Sequence, residues 1–513
     1  MSTNAVEATV SGAPPKATGR EWIGLAVIAL PCLLYSMDLT VLNLAVPALS
    51  ADLQPSATEL LWIVDIYGFM VAGWLITMGT LGDRIGRRRI LMAGAALFGL
   101  ASILAAFSST AEMLIAARAL LGVAGATIAP STLSLIRNMF QDEGQRTFAI
   151  SVWGTSYAAG GLIGPVLGGM MLQYFAWGSV FLLAVPVMVL LLMTAPRLLP
   201  EYRDPHAGRP DVVSAGMSLL AVLSAIYGLK RIAEDGPSAL ACTFILAGLV
   251  LGIAFVRRQG RLADPLIDLN LFRSRAFSTA LSMNMLGCLV LFGTFLFIAQ
   301  YMQLVLGLTP LEAGLWSLPS AAAVTAGSML APLVVSRSRP AYVIAAGMAL
   351  LALGLALLTQ VGRGGLPILV AAAVILSIGL GPTFVLTTDL IVASAPPERA
   401  GAAGAVSETG SELGGVLGIA ILGSIGTAVH RSLMAGAIPD GVPPEAAEVA
   451  RGTLGSVIAA AEALGDPWGA ALLAAGRAAF VQSLELTAGL CAMIALASAL
   501  AAMMLLQDAR RAG

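Results

Sequence analysis

Fourteen times along its 513 residues the chain runs apolar for a stretch close to the roughly 20 residues a helix needs to cross a bilayer. No other feature constrains the fold as tightly. Inside lipid every backbone N–H and C=O must be paired, and a helix pairs them within the segment. The runs fall at 21–47, 58–82, 90–107, 112–136, 147–173 and 178–197, then at 212–230 and 238–256. The remaining six are 276–302, 310–335, 341–358, 366–392, 402–429 and 478–505. Charged residues make up 11% of the chain, against about 25% in soluble domains. The expectation is an all-α polytopic membrane protein with no substantial soluble domain.

The distribution of positive charge orients it. With both ends in the cytoplasm, 21 of the 28 Lys and Arg fall in inner segments and 6 in outer ones, and Arg118 lies within a span. Inner clusters at Arg84–Arg89, Arg257–Arg261 and Arg337–Arg339 follow the positive-inside rule. Lysine occurs only at Lys16 and Lys230, the latter counted here as an outer-loop charge. The N-terminal stretch carries no short apolar core followed by a small-residue cleavage site, so the first run is expected to be a retained helix.

These boundaries predict a cytoplasmic tail (1–20), a six-helix bundle (21–197) and a linker with two inserted helices (198–275). A second six-helix bundle (276–505) and a tail (506–513) follow. The second bundle includes an external segment, 430–477, where the Pro443-Pro444 and Asp466-Pro467-Trp468 signals predict two short helices capping the exit. A shift of 253 residues superimposes Ile90–Ala96 on Val343–Ala349 and Arg84 on Arg337, which suggests two related halves about a central pathway. Cys32, Cys242, Cys288 and Cys491 have no metal or disulfide spacing and read as small core residues. His206 and His430 read as loop residues. A Gly-Lys-[Ser/Thr] loop for ATP is missing from the sequence, which argues against an ATP-driven enzyme.

The informative residues are charges inside the apolar runs. Asp38 lies mid-span, where an ionised carboxylate costs roughly 2.5–3.5 kcal/mol unless it faces protein or a wet cavity. Such a group suits a proton carrier or a cation site. Trp62 and Asp65 share one helix face and offer cation–π and Coulombic contacts to a lipophilic cation, or else packing. Glu408 and Glu412, four apart, also share a face, an arrangement fit for exchanging a proton for a cation. The loop Gly79-Thr-Leu-Gly82-Asp83-Arg84-Ile-Gly86-Arg87-Arg88-Arg89 joins a tight turn to a charge cluster able to form in one conformation and break in another.

That loop resembles the signature loop of the major facilitator superfamily. Leu114-Ile-Ala-Ala-Arg118-Ala-Leu-Leu-Gly122 resembles its fourth-helix arginine motif, with Leu121 where a Gln is common. Gly160-Gly161-Leu-Ile-Gly164-Pro165-Val-Leu-Gly168-Gly169 resembles the fifth-helix motif of its antiporters. Met37-Asp38-Leu-Thr40-Val-Leu-Asn43-Leu-Ala-Val-Pro47 is similar to the first-helix motif of the fourteen-helix drug:proton antiporters, the quaternary-ammonium and dye exporters among them. The resemblance implies a major facilitator fold of six, two and six helices. It also implies proton-coupled efflux of amphipathic, mostly cationic compounds across the plasma membrane. Asp38, Arg118 and Glu408 would couple protons; Asp65, Trp62 and Glu412 would bind substrate. Gly82, Asp83, Arg84, Gly86 and Arg87 would form the conformational switch. The expected partners are protons, lipophilic cations and the bilayer, with no cofactor, metal or nucleic acid, and the expected state is a monomer. The alternative is a dedicated exporter of one endogenous metabolite or antibiotic.

Overall fold

The computed structural model describes residues 16–203, 211–262, 265–335, 337–395, 400–439, 441–465 and 467–506. His206, most of the N-terminal tail and the last seven residues lie outside that set. The first bundle contains α1 (Gly19–Leu53), α2 (Ala57–Ile85), α3 (Arg87–Ala106), α4 (Ala111–Gly125), α5 (Ile128–Met139) and α6 (Glu143–Tyr174). It closes with α7 (Ser179–Leu182) and α8 (Ala184–Leu198). The inserted pair is α9 (Val212–Asp235) and α10 (Ala239–Gln259). The second bundle contains α11 (Arg275–Gln300), α12 (Pro310–Val335), α13 (Pro340–Leu358), α14 (Val361–Ala393) and α15 (Ala400–Ala437). After α16 (Pro444–Ala450) and α17 (Leu454–Leu464), α18 (Trp468–Leu505) completes it.

Side-chain caps start many of these helices. Thr18 and Ser56 make capping boxes with Glu21 and Glu59, while Asp142, Asp211, Ser238 and Ser274 accept from the N–H three residues on. Among the described residues twelve segments are long and apolar enough to cross a membrane, α4–α5 and α7–α8 each making one. The chain is therefore a multi-pass membrane protein. Two long helices, α6 and α12, stand outside that set, with 32 and 26 residues. A repeat is visible in the architecture: α13 begins 253 residues after α3, the offset of the sequence match.

Three expected boundaries move. Fourth among the expected spans, 112–136 breaks at Ala126–Thr127 into α4 and α5. The helix expected to stop at 429 continues to Ala437, so His430 is a buried helical residue and not a loop residue. The last helix starts ten residues early, at Trp468, so the external segment shortens to the region of α16 and α17. Gly455 of α17 packs on Ser50 at the end of α1, which lays this cap against the first bundle as well as the second.

Each bundle buries its own apolar core. The halves meet away from the arginine-rich end: Gln303 Nε2 donates to Leu44 O at 3.1 Å, and Gly423 lies against Leu61. Small residues let helices approach closely, which drives association where lipid removes the usual hydrophobic gain. In α6, Gly160, Gly164 and Gly168 face α1 at Leu33, Thr40 and Val41, while Gly169 faces α12. A Cβ on Gly160 would strike the Leu33 carbonyl, a backbone group that cannot turn aside, so only glycine fits there. Pro165, within the helix, has its carbonyl against Gly314 of α12. The glycine motif thus joins the two halves through α6. A third small cluster, Phe69, Ile226, Val416 and Ala420, wedges α9 against both α2 and α15.

Candidate functional site

Asp38, Arg118 and Glu412 converge where the halves meet. Arg118, 1% exposed, reaches from α4 to Asp38 of α1, with Nη1 2.6 Å from Oδ2. Its Nε donates to Ile63 O at 3.1 Å and Nη2 to Val64 O at 3.3 Å, both on α2. Its guanidinium also lies 4.9 Å from the Tyr67 ring centroid. One side chain therefore ties three helices, and a planar cation whose nitrogens reach separate acceptors is what such a geometry needs. Asp38 keeps 15% of its side-chain surface accessible.

Across the seam, Glu412 of α15 accepts from Tyr35 Oη at 2.6 Å. A cavity of about 20 Å³, room for one water, is lined by Arg118, Glu412, Val64 and Phe292. Tyr67 Oη is buried without a hydrogen-bond partner among the described residues, and it feels both Asp38 and Glu412 electrostatically. Glu408, one turn nearer the arginine-rich end, is exposed although it interacts electrostatically with Tyr157 of α6.

Asp65 and Trp62 sit elsewhere. Lys230 of α9 places Nζ 2.7 Å from Asp65 Oδ2 and 3.8 Å from the Trp62 ring centroid, and both charged side chains are 0% exposed. Lys230 is therefore a membrane-buried cation, which corrects its reading as an outer-loop charge. The residues expected to bind a cation already hold one from the chain itself. Glu412, expected to bind substrate with them, lies instead with Arg118 and Tyr35.

The signature loop stays within the first bundle. Arg87 pairs with Asp83 at 2.5 Å and donates to Pro130 O of α5 at 3.2 Å. Gly86 adopts φ +119°, a region that favours glycine, and a side chain there would strike Glu201. Glu201 in turn accepts from the Arg88 N–H at 3.2 Å. Gly82 is buried against Arg87, whereas Arg84 is exposed.

The Major Facilitator Superfamily sequence model matches residues 28–419, which contain Asp38, Asp65, Arg118, Lys230, Glu408, Glu412 and the signature loop. The chain belongs to the Major Facilitator Superfamily. It is 44% identical over 482 residues to the multidrug efflux pump LfrA of Mycolicibacterium smegmatis, covering 94% of this chain and 95% of that one. It is 39% identical to the methyl viologen resistance protein SmvA of Salmonella typhimurium, covering 90% and 94%. In fold it resembles a bacterial homologue of the lysosomal transporter Spinster in an inward-facing, unoccupied conformation. That likeness has a TM-score of 0.68 at 16% identity, covering 96% and 99%. Membership makes the all-α bundle a major facilitator fold.

Sequence reasoning found the acids and Arg118 but not their neutral or cationic partners. Nothing in the sequence pattern distinguishes Tyr35, Tyr67 and Tyr157 from other aromatics in apolar runs. For Lys230 a signal existed: it is one of two lysines and closes an apolar run whose helical pattern continues to Asp235.

Proposed function

We propose that this protein exports several amphipathic, mostly cationic compounds across the plasma membrane in exchange for protons. The carrying observation is the acid pair on α15. Glu408 and Glu412 lie where the halves meet, with the phenol of Tyr35 as a neutral donor to Glu412, beside a water-sized cavity shared with Arg118. A carboxylate so placed recruits a mobile cation, and a proton and a drug cation compete for it. Relatives named for multidrug efflux and for resistance to methyl viologen, itself cationic, support breadth and charge preference. Fourteen spans with both termini cytoplasmic complete the reading, α6 and α12 counted as crossing; 26 residues reach about 39 Å, enough for a bilayer.

Asp38 and Arg118 would couple the proton. Alternating access follows if protonation of Asp38 loosens the tie among α1, α2 and α4, letting the bundles rock about the midplane. The test is ethidium transport in proteoliposomes under an imposed pH gradient, normalised to inserted protein. Wild type should concentrate ethidium against its gradient, and Asp38→Asn should bind it without concentrating it. Uphill, proton-driven export by Asp38→Asn at the wild-type rate would overturn the assignment.

A further inference from the structure

We propose that the Lys230 ammonium is a tethered stand-in for the transported cation, holding the Trp62–Asp65 site until a lipophilic cation displaces it. This makes α9, one of the two inserted helices, a participant in transport and Lys230 a specificity-determining residue. The inference rests on the substrates being cationic.

An aromatic face one turn from a carboxylate is what a lipophilic cation seeks, and Lys230 uses both elements at once, at 3.8 Å and 2.7 Å. As a structural staple the pair is poorly completed. Beyond that contact neither carboxylate oxygen of Asp65 nor the ammonium has a hydrogen-bond partner among the described residues. A buried pair repays its desolvation only when further hydrogen bonds close it, so this one is weak evidence for a stabilising role. The surroundings can receive a replacement. Phe69 and Ile226, one turn from Asp65 and Lys230, form the buried edge of an open crevice of about 790 Å³ that runs between Ala72, Leu413 and Leu417 on one side and the exposed Leu249 and Val256 of α10 on the other. That volume is of the size that holds drug-like ligands, with the apolar body there and the charge at Asp65. A lysine suits the task because its flexible stem lets the head withdraw without unpacking α9.

The experiment uses the purified full chain and ethidium as the probe. Ethidium fluorescence gives its Kd for wild type and for Lys230→Met. Losing the internal competitor should tighten Kd about tenfold, and adding Asp65→Asn should cancel the gain. The wild-type chain supplies a second reading that needs no variant to fold. A membrane-permeant amine-acylating reagent has only Lys16 and Lys230 as lysine targets, and mass spectrometry distinguishes them. Saturating ethidium should raise Lys230 acylation about tenfold relative to Lys16, as expected when a buried amine is released. Ethidium that binds wild type and Lys230→Met with equal Kd, or leaves Lys230 acylation unchanged, overturns the inference alone. Ethidium that binds neither protein removes the cationic-substrate reading and the inference with it.

Discussion

Asp38 and Asp65, on the first two helices, each hold a cation of their own, whereas Glu408 and Glu412 on α15 hold none among the described residues. All four acids lie within helices that cross the membrane, so the difference is not one of depth but of partner. Arg118 arrives from α4 with two further bonds to α2 carbonyls, and Lys230 arrives from α9 over the Trp62 face. Glu412 receives only a phenol from Tyr35. An acid paired inside the fold is satisfied without a mobile ion, while an unpaired one must recruit one. At rest the first bundle therefore carries matched charge that ties helices together, yielding a partner only to an incoming proton or cation, and the second presents acids with no cation of the chain on them among the described residues. An exchanger needs both, since a site that binds a proton or a drug does no transport unless its occupancy is felt by the framework.

The sharpest way to break this contrast is to remove a fixed cation. Arg118→Met leaves Asp38 without its counter-charge and unties α1, α2 and α4. The expected loss is about 3–5 kcal/mol, the cost of orphaning one partner of a buried pair. It should appear as a lower membrane level and a lower unfolding temperature in detergent. Arg118→Met combined with Asp38→Asn should recover much of that stability, yet no gradient-driven export. An Arg118→Met protein as stable as wild type would erase the distinction between the bundles.

The complementary substitution touches the unpaired acids. Glu412→Gln and Glu408→Gln remove no ion pair, so each should fold within about 1 kcal/mol of wild type. Each should nonetheless lower export of cationic dyes at least about tenfold, and lower export of a neutral compound of similar size less. Glu408 should prove the more sensitive, because the resemblance assigns it to proton coupling and Glu412 to substrate. A stability loss in either variant comparable to that of Arg118→Met would place these acids in the framework.

The contrast also shows what a single sequence exposes. A charge in a long apolar run is conspicuous whatever it contacts, so Asp38, Asp65, Arg118, Glu408 and Glu412 are legible, as is the motif loop. Pairing is not legible, because it depends on which helix faces land together. Asp65 and Lys230 are 165 positions apart and meet only because α9 packs against α2. Lys230 itself, followed by Arg231, Glu234 and Asp235, has the polarity of a loop, and only continuation of the helix through those charges carries it into the protein. The same limit hides the end of α15, where eight further residues bury His430. Legibility stops where burial is decided by a neighbour and not by the run.

A smaller change sharpens the reading of Glu412. Tyr35→Phe deletes the one hydrogen-bond donor Glu412 has among the described residues while keeping the ring packed on Tyr67 and Tyr157, whose centroids lie 6.1 and 5.6 Å away. A hydrogen bond to a charged group contributes about 1.5–3 kcal/mol and a neutral one about 0.5–1.5. A phenol that helps hold the acid should therefore change ethidium Kd several-fold, at constant stability. An unchanged Kd would leave Glu412 governed by Arg118 across the water-sized cavity.

The smallest effect is expected at Arg84, and it tests whether partners, and not charges as such, decide importance. Arg84 and Arg87 stand three residues apart in the same loop, and composition cannot rank them. The structure does. Arg87 is buried, pairs with Asp83 at 2.5 Å and reaches Pro130 O, so it links α2, α3 and α5. Arg84 is exposed and makes no hydrogen bond or ion pair with another described residue. Arg84→Ala should shift stability by no more than about 0.5 kcal/mol, the usual range for surface substitutions. Orientation should hold as well, because Arg87, Arg88 and Arg89 keep that end of the bundle positive. Arg87→Ala leaves the half-buried Asp83 unmatched and should cost several times more, with slower ethidium export at matched expression. Thermal unfolding and initial efflux rates of the two variants, measured side by side, provide the comparison. Equal losses would mean that the loop acts through its total charge, and the partner-based ranking of every ionised group in this protein would fail at its least demanding point.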